Sequence, residues 1–310
     1  MQKQKVIVIA GPTASGKSQL AIDAALAVSG VVVNADSMQV YRNTPIISAC
    51  PSEEDKALVA HRLYEIWDAE KNGSVVDWLN LAVAEIKNIW RDGKIPVVVG
   101  GTGLYLDNLI NGTTPIPETS PEVRDKVKKM LEDNGVRQLH DMLAEFDPPS
   151  AAKLNPNDTT RVRRALEVYF DTGKALSAWH RLPMIKKLPD AAFWIVKIVP
   201  SAEELDERCF RRFDQMIAGG ALDEAVALSA RHLNRRLPAM RALGVPELMD
   251  YAEGRTTLEE AIMLGKLHTR QYAKRQRTWF NNKLNADLVL NQCYSGQKEV
   301  IENIIKFVKS

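Results

Sequence analysis

Residues 6–18 read VIVIAGPTASGKS, an apolar run followed directly by a glycine-rich turn. The β-branched run predicts a buried strand, and residues 19–28 have the pattern of a helix. In this strand-to-helix context the spacing Gly-x-x-x-x-Gly-Lys-Ser indicates a P-loop, whose glycines let successive backbone N–H groups point at phosphate oxygens. Lys17 adds a positive charge, and the Ser18 hydroxyl is placed to bind Mg²⁺. The residues predicted to hold a polyphosphate are Gly11, Pro12, Thr13, Ala14, Ser15, Gly16, Lys17 and Ser18.

The composition is that of a globular protein with nearly balanced charge. Of 310 residues, 45% are hydrophobic, and 41 Lys and Arg against 39 Asp and Glu give a net charge of +2. Any surface for a polyanion must therefore be local. The three cysteines show no Cys-x-x-Cys spacing, so we expect neither disulfides nor a zinc site but a reducing, cytoplasmic setting. With no run of eighteen apolar residues, neither a signal peptide nor a membrane span is predicted.

Further apolar runs and helical patterns alternate along the chain, which predicts an α/β fold. The strands are expected at residues 6–10, 31–33, 62–66, 95–99 and 194–199, and the helices at 19–28, 76–90, 121–134, 138–145, 159–171, 201–218, 221–231 and 256–282. This rhythm favours a P-loop NTPase-like core, a doubly wound parallel sheet flanked by helices.

The middle of the chain departs from that rhythm. Prolines at positions 115, 117 and 121 break it, and helical segments then follow one another without strands. We therefore expect a helical insertion domain at 115–186 that divides the core into residues 1–114 and 187–310. The tail is expected to add one short strand and a closing helix.

Polar residues follow the second and fourth strands, where ligands bind in open α/β sheets. Asp36, in ADSMQVY at 35–41, is interpreted as a metal-supporting acid, a general base or a helix N-cap. The fourth strand ends in Gly100-Gly101-Thr102-Gly103, where a nucleoside triphosphatase often carries an acid. Glycines and a threonine favour close backbone approach and a hydroxyl contact, or simply a tight turn. This pattern weakens the prediction of ATP hydrolysis.

Residues 266–283, KLHTRQYAKRQRTWFNNK, contain six basic residues and no acid. Lys266, Arg270, Lys274 and Arg277 share one face of a predicted helix, while Tyr272, Gln276, Trp279 and Phe280 lie on another. A basic stripe backed by aromatics suits a phosphate backbone, and a solvated helix face is the alternative.

Two further arginine groups carry a similar ambiguity. Residues 155–168, NPNDTTRVRRALEV, place arginines in the first turns of a helix, against the macrodipole. Either an anion binds nearby, or these arginines pair with Asp158 or Glu167. The second group is Arg208, Arg211 and Arg212. Either these arginines form a solvated helix face, or one of them reaches the P-loop.

Taken together and in order, six motifs resemble those of the bacterial tRNA dimethylallyltransferases, also called isopentenyltransferases. The motifs are GPTASGKS, ADSMQVY, GGTGLY, NPNDTTRVRRALEV, RRFDQMIAGG and TRQYAKRQRTWF. The resemblance implies transfer of the dimethylallyl group of dimethylallyl diphosphate to N6 of the adenosine 3′-adjacent to the anticodon, in tRNAs reading codons that begin with U. It also implies release of pyrophosphate, dependence on Mg²⁺ and a P-loop core with a helical insertion. We expect a monomer that works without a membrane.

On this interpretation the P-loop holds the allylic diphosphate, and ATP is not consumed. Lys17, and Mg²⁺ on Ser18, would stabilise charge on the departing pyrophosphate. Asp36 is the candidate base for the N6 proton. The resemblance implies that Thr13 and Arg212 contact the diphosphate. With the basic stripe included, the residues expected to contact tRNA are Asp36, Ser37, Met38, Gln39, Thr102, Arg124, Thr160, Arg161, Val162, Arg163, Arg164, Lys274 and Arg275.

The chain departs from the family pattern at two positions. Cys50 stands where family members often have lysine, and Val245 where they often have tyrosine, so this chain lacks those two side chains and any contacts they make. The competing hypotheses are an adenylate isopentenyltransferase, a P-loop nucleotide kinase or NTPase, and an RNA-binding protein without activity. The helical insertion and the basic stripe argue against a mononucleotide acceptor, because a mononucleotide needs neither.

Overall fold

A computed structural model describes residues 3–310 of the chain. Its centre is a six-stranded, entirely parallel sheet in the order β3-β2-β4-β1-β5-β6. The strands are β1 (Gln4–Ala10), β2 (Gly30–Asn34), β3 (His61–Arg62), β4 (Ile95–Gly100), β5 (Ala191–Ile198) and β6 (Leu288–Leu290). The α/β fold with a parallel sheet is thus confirmed, and the first strand is central, as a P-loop core requires.

Helices cover both faces of the sheet. Successive side chains of β1 point to opposite faces, so the strand contributes to a hydrophobic core on each side. Val6, Val8 and Ala10 join one hydrophobic core, and Ile7 and Ile9 join the other. The sheet belongs to a compact unit made of residues up to 110 and residues 188–310. The helices that accompany this sheet are α1 (Lys17–Val28), α2 (Pro45–Ser48), α3 (Glu53–Leu58), α4 (Val75–Arg91), α5 (Gly103–Asn111), α10 (Ala202–Ala218), α11 (Ala221–Ser229), α12 (Val245–Ala252), α13 (Leu258–Lys283) and α14 (Lys298–Lys309), while α6 to α9 lie in the segment between.

Residues 111–187 form a second compact unit. It is helical, and its helices are α6 (Pro121–Phe146), α7 (Pro148–Ala151), α8 (Thr159–Thr172) and α9 (Leu176–Trp179). Its own core contains Val127, Leu139, Leu143 and Leu166. The two helices predicted at 121–134 and 138–145 run together except at Gly135, whose φ of 76° and ψ of 166° break the helix.

One strand and several helices differ from the sequence expectation, which did not include α5, α12 or the short helices α2, α3, α7 and α9. Strand β3 is shorter than the predicted 62–66, because Leu63 and Glu65 adopt φ values of 64° and 56°, which a strand does not allow. Helix α12 was not predicted at all. It begins at Val245 with a proline in its first turn, a starting signal that the apolar pattern obscured. No helix within residues 3–310 combines the length and apolar character needed to cross a bilayer.

Candidate active site

The P-loop has the backbone geometry of an anion-binding turn. Gly16 adopts a φ of 89°, and a Cβ at this position would come within 2.6 Å of the Tyr294 carbonyl oxygen. The Tyr294 N–H in turn donates to the Ser15 carbonyl at 3.0 Å, so the loop after β6 supports the P-loop from behind. Helix α1 has no acid in its first turn. Its N-terminal dipole is therefore available to an anion.

Two cations meet at this loop. The Lys17 ammonium donates to the Pro12 carbonyl at 2.6 Å. Burial lowers the pKa of Lys17 to about 8, although the neighbouring Asp36 carboxylate acts in the opposite direction. Arg212 of α10 donates to the Thr13 hydroxyl at 3.2 Å, and burial likewise lowers its pKa. For the group Arg208, Arg211 and Arg212, the sequence left open a solvated face or an arginine that reaches the P-loop, and Arg212 does reach it. Two half-buried cations side by side favour a polyanionic ligand.

The carboxylate of Asp36 is held by a turn at the end of β2. Its Oδ1 accepts the Met38 N–H at 3.0 Å, and the Asp36 N–H donates to Oδ1 of the buried Asn34 at 2.8 Å. No described residue donates a hydrogen bond to Oδ2, which leaves that oxygen available to a substrate. No helix begins here, so the N-cap interpretation of Asp36 is wrong.

Two neighbouring cavities meet at Asp36. A small polar cavity contains Lys17 and Ser18 of the P-loop, and a larger one of about 280 Å³ extends toward α10 and α13. Thr13, Asp36 and Arg212 line both. The larger cavity is lined mainly by apolar and aromatic side chains, namely Met38, Ile47, Cys209, Phe213, Met216, Ala242, Leu243 and Tyr272. A diphosphate and an apolar group could therefore lie side by side with a carboxylate between them.

The glycine-threonine loop after β4 packs against the loop after β2, and its Gly100 also lines the small polar cavity. The Thr102 hydroxyl accepts the Ser37 N–H at 2.9 Å and donates to the Ser37 hydroxyl at 3.2 Å. A Cβ at Gly100 would lie 2.1 Å from the Ala35 carbonyl oxygen. The loop thus forms a tight turn and also borders the small cavity, so both interpretations of its glycines and threonine stay open. Gln39 is similarly engaged, because its amide donates to the carbonyls of Ser48 and Ala49.

The basic stripe on α13 divides into paired and unpaired residues. Lys266 pairs with Asp214 at 2.6 Å and Arg270 approaches Asp206 at 3.8 Å, both acids of α10. Lys274 and Arg275 are exposed and have no ion-pair partner among the described residues. Of the stripe residues, Lys274 is thus free to meet a phosphate backbone, whereas Arg277 is half-buried; Arg275, beside the stripe, is exposed and also lines the large cavity. The opposite face of α13 lines the large cavity with Tyr272 and Gln276.

In the helical unit, the arginines of α8 mostly have acidic partners. Arg161 pairs with Asp158 at 3.1 Å and Arg163 with Glu167 at 3.0 Å. Arg164 donates to the Thr119 hydroxyl, and Arg124 pairs with Glu118. Val162 is fully buried in the core of this unit, so the expected tRNA contact cannot involve its side chain. Thr160 is exposed.

The residues present fit magnesium bound together with a diphosphate. Among residues 3–310 no three acidic, histidine or cysteine side chains cluster as a metal cage. The Ser18 hydroxyl and the Asp36 carboxylate nevertheless line the same small cavity. Mg²⁺ commonly takes only one or two protein ligands and completes its shell with phosphate oxygens and water. Such a donor set suits an ion that arrives with its substrate.

The family model for IPP transferase matches residues 39–283. A tRNA dimethylallyltransferase of Rhodopseudomonas palustris (strain BisB18) is 45% identical over 283 residues, which cover 91% of this chain and 90% of that relative. The chain belongs to the IPP transferase family. The resemblance to the tRNA dimethylallyltransferases is confirmed, and the protein is accordingly a transferase. The kinase and NTPase alternatives are not favoured by these relatives.

Solved members of the IPP transferase family share the fold. The tRNA isopentenylpyrophosphate transferase of Bacillus halodurans superposes with a TM-score of 0.71 at 35% identity and covers 99% of this chain and 96% of that one. A eukaryotic dimethylallyltransferase described as acting on tRNA superposes with a TM-score of 0.85 at 30% identity, covering 99% and 80%. The chain thus corresponds to nearly the full length of the bacterial relatives.

The two departures from the family pattern are both built into the fold. Val245 is fully buried at the start of α12, and Cys50 lies against the Gln39 carbonyl and the Ser48 hydroxyl. Burial raises the pKa of the Cys50 thiol to about 12, so it is inert at neutral pH. Neither residue lines the two cavities.

Proposed function

We propose that the protein transfers the dimethylallyl group of dimethylallyl diphosphate to N6 of the adenosine 3′-adjacent to the anticodon, in tRNAs that read codons beginning with U. The observation that carries this proposal is the junction of the two cavities at Thr13, Asp36 and Arg212. Family membership and the relatives named tRNA dimethylallyltransferase support the same reaction.

In this proposal the polar cavity binds the diphosphate. The bond between the allylic carbon and the bridging oxygen breaks, and both electrons leave with pyrophosphate. In the proposal, Lys17, Arg212 and P-loop amides stabilise this charge, since preorganised donors of this kind stabilise a leaving group strongly. Lys17 and Arg212 both line the polar cavity, which supports this role. Mg²⁺, which the Ser18 hydroxyl would help to hold, would supply further charge neutralisation.

The apolar cavity receives the allyl group, and a flipped adenine lies against Asp36. The N6 lone pair forms the new carbon–nitrogen bond, and Oδ2 of Asp36 accepts the N6 proton. General-base assistance of this kind contributes about 10²–10⁴-fold. Extrusion of an unpaired loop nucleotide costs only a few kcal/mol, less than a paired base would. The exposed Lys274 and Arg275 are proposed to contact the tRNA backbone.

We further propose that Thr102, Arg124, Thr160, Arg161, Arg163 and Arg164 lie along the tRNA path and that residues 115–186 act as a tRNA-binding domain. We also propose that the protein works as a cytoplasmic monomer. The three cysteines are all free, which suits a reducing compartment where tRNA is present.

A single-turnover assay with labelled dimethylallyl diphosphate and Mg²⁺ tests the proposal. Unmodified tRNA, AMP and no acceptor are compared, and ATP hydrolysis is followed in parallel. The proposal requires label in tRNA alone. Label in AMP would indicate an adenylate isopentenyltransferase, and ATP turnover without transfer would indicate an NTPase.

A further inference from the structure

Gln276 joins two loops of the candidate active site. It lies on α13 and is 6% exposed. Its Oε1 accepts the backbone N–H of Thr13 in the P-loop at 2.8 Å, and its Nε2 donates to the backbone carbonyl of Gly101 after β4 at 2.8 Å. One side chain thus fixes the distance between the P-loop and the loop that follows the neighbouring strand.

These two bonds need a side-chain amide. A backbone N–H can only donate and a carbonyl can only accept, so the bridging group must accept at one end and donate at the other. An ionised carboxylate accepts at both ends, and an aliphatic side chain does neither. The two backbone partners also define which end of the Gln276 amide is oxygen and which is nitrogen.

The bridge stands next to the proposed chemistry. A Cβ at Gly101 would lie 2.4 Å from Gln276 Nε2 and 3.3 Å from Asp36 Oδ2, so the glycine leaves room for both side chains. At the other end, the Thr13 residue held by Gln276 receives the hydrogen bond from Arg212. Both polar atoms of Gln276 are engaged with protein backbone. It therefore supports the groups that would meet the substrates.

We propose that Gln276 is a positioning residue for the transfer reaction, which sets the P-loop and the Asp36 carboxylate at the separation that the reaction needs. The inference rests on the proposed function. Displacement of reacting groups by about 1 Å can cost about 10²-fold in rate. Loss of the bridge should therefore slow transfer far more than it weakens binding of either substrate.

The first test compares Gln276→Leu with Gln271→Leu, a matched change at an exposed position of the same helix. We expect Gln276→Leu to lower the single-turnover transfer rate by about 10²-fold. The dissociation constants for tRNA and for dimethylallyl diphosphate should stay within about threefold, and Gln271→Leu should match the native protein. The native protein is assayed in the same series.

The second test uses pH as a signature that a purely structural role would not produce. Gln276→Glu keeps the side-chain shape. Its ionised form cannot donate to Gly101, whereas its protonated form can, so the ratio of variant to native rate should rise as pH falls. The ionisable and charged groups that share the large cavity with this position are Asp36, Cys209, Arg212, Arg241, Tyr272 and Arg275. These groups are present in both proteins, so dividing the variant rate by the native rate at each pH cancels the pH dependence that they give to both.

The outcomes separate the two levels of the argument. A slow Gln276→Leu variant with intact binding and a rising Gln276→Glu ratio supports the inference. Normal rates in both variants, a ratio independent of pH, or loss of rate only in proportion to loss of folded protein would overturn it. If the native protein itself transfers nothing to tRNA, the proposed function fails and the inference with it.

Discussion

Asp36 is the single residue on which the proposed transfer depends most. The turn that holds it presents Oδ1 to the Met38 N–H and leaves Oδ2 toward the cavities. Lys17 lines the same small cavity, so the proposed reaction has a base and a cation next to the bond that breaks. The sequence already indicated this residue from its position after β2. It could not indicate Asn34, whose buried side chain fixes the turn through bonds to Asp36 and Leu63.

Replacement of the base gives the first prediction. Asp36→Asn keeps the shape of the side chain but cannot accept a proton at neutral pH, so the single-turnover transfer rate should fall by about 10²-fold or more. Binding of tRNA should change by no more than a few-fold, as measured by filter binding. Near-normal transfer by Asp36→Asn would remove Asp36 from the role of base.

The lowered pKa of Lys17 gives the second prediction. In the free enzyme this ammonium is charged below about pH 8 and loses its charge above it. Pyrophosphate affinity should therefore weaken as pH rises through about 8, relative to the Lys17→Arg variant, whose guanidinium stays charged. Isothermal titration calorimetry of both proteins from pH 6.5 to 9.5 measures the difference. Parallel profiles would show that Lys17 does not titrate in this range.

At the scale of elements, α13 is the helix that links the most parts of the site. Its basic face pairs with α10 at Lys266 and Arg270 and is exposed at Lys274, and its other side lines the large cavity with Tyr272 and Gln276. Helical spacing predicted both faces. It could not predict which basic residues find acids, because Asp206 and Asp214 lie some sixty residues earlier and meet α13 only through tertiary packing.

The exposed half of the stripe gives the third prediction. Lys274→Ala combined with Arg275→Ala should weaken tRNA binding and make its dependence on log salt shallower by about one for each lost phosphate contact. Lys266→Ala is the matched control, because that lysine is already paired with Asp214. Binding measured between 50 and 200 mM salt provides the slopes. An unchanged slope in the double variant would return this face to the solvated interpretation.

Packing of α10 on α13 gives the fourth prediction. A Cβ at Gly265 would come within 2.2 Å of the Phe213 ring. Gly265→Ala should therefore destabilise the protein by about 1–3 kcal/mol through overpacking. Chemical denaturation measures this, and Phe213→Leu in the same chain should recover part of the loss by making room. Equal stability of Gly265→Ala and the native protein would mean that the two helices separate without cost.

At the scale of the whole molecule, the sequence predicted the parallel sheet, because β-branched runs recur with helical patterns between them. It predicted β3 too long, because the left-handed backbone at Leu63 and Glu65 ends the strand inside an apolar run. It missed α12, whose starting signal is the proline at position 246 rather than an apolar pattern. Gln276 had no signal beyond its place on an aromatic helix face. Its partners, Thr13 and Gly101, come together only when the sheet forms.

The central claim is that one adenosine of tRNA receives the dimethylallyl group at N6. The most direct measurement incubates unmodified tRNA with the protein, dimethylallyl diphosphate and Mg²⁺, digests it, and locates the added mass by tandem mass spectrometry. The account predicts a single dimethylallyl group, on the exocyclic nitrogen of the adenosine 3′-adjacent to the anticodon. An unmodified tRNA, or a group attached to another nucleotide, would contradict it.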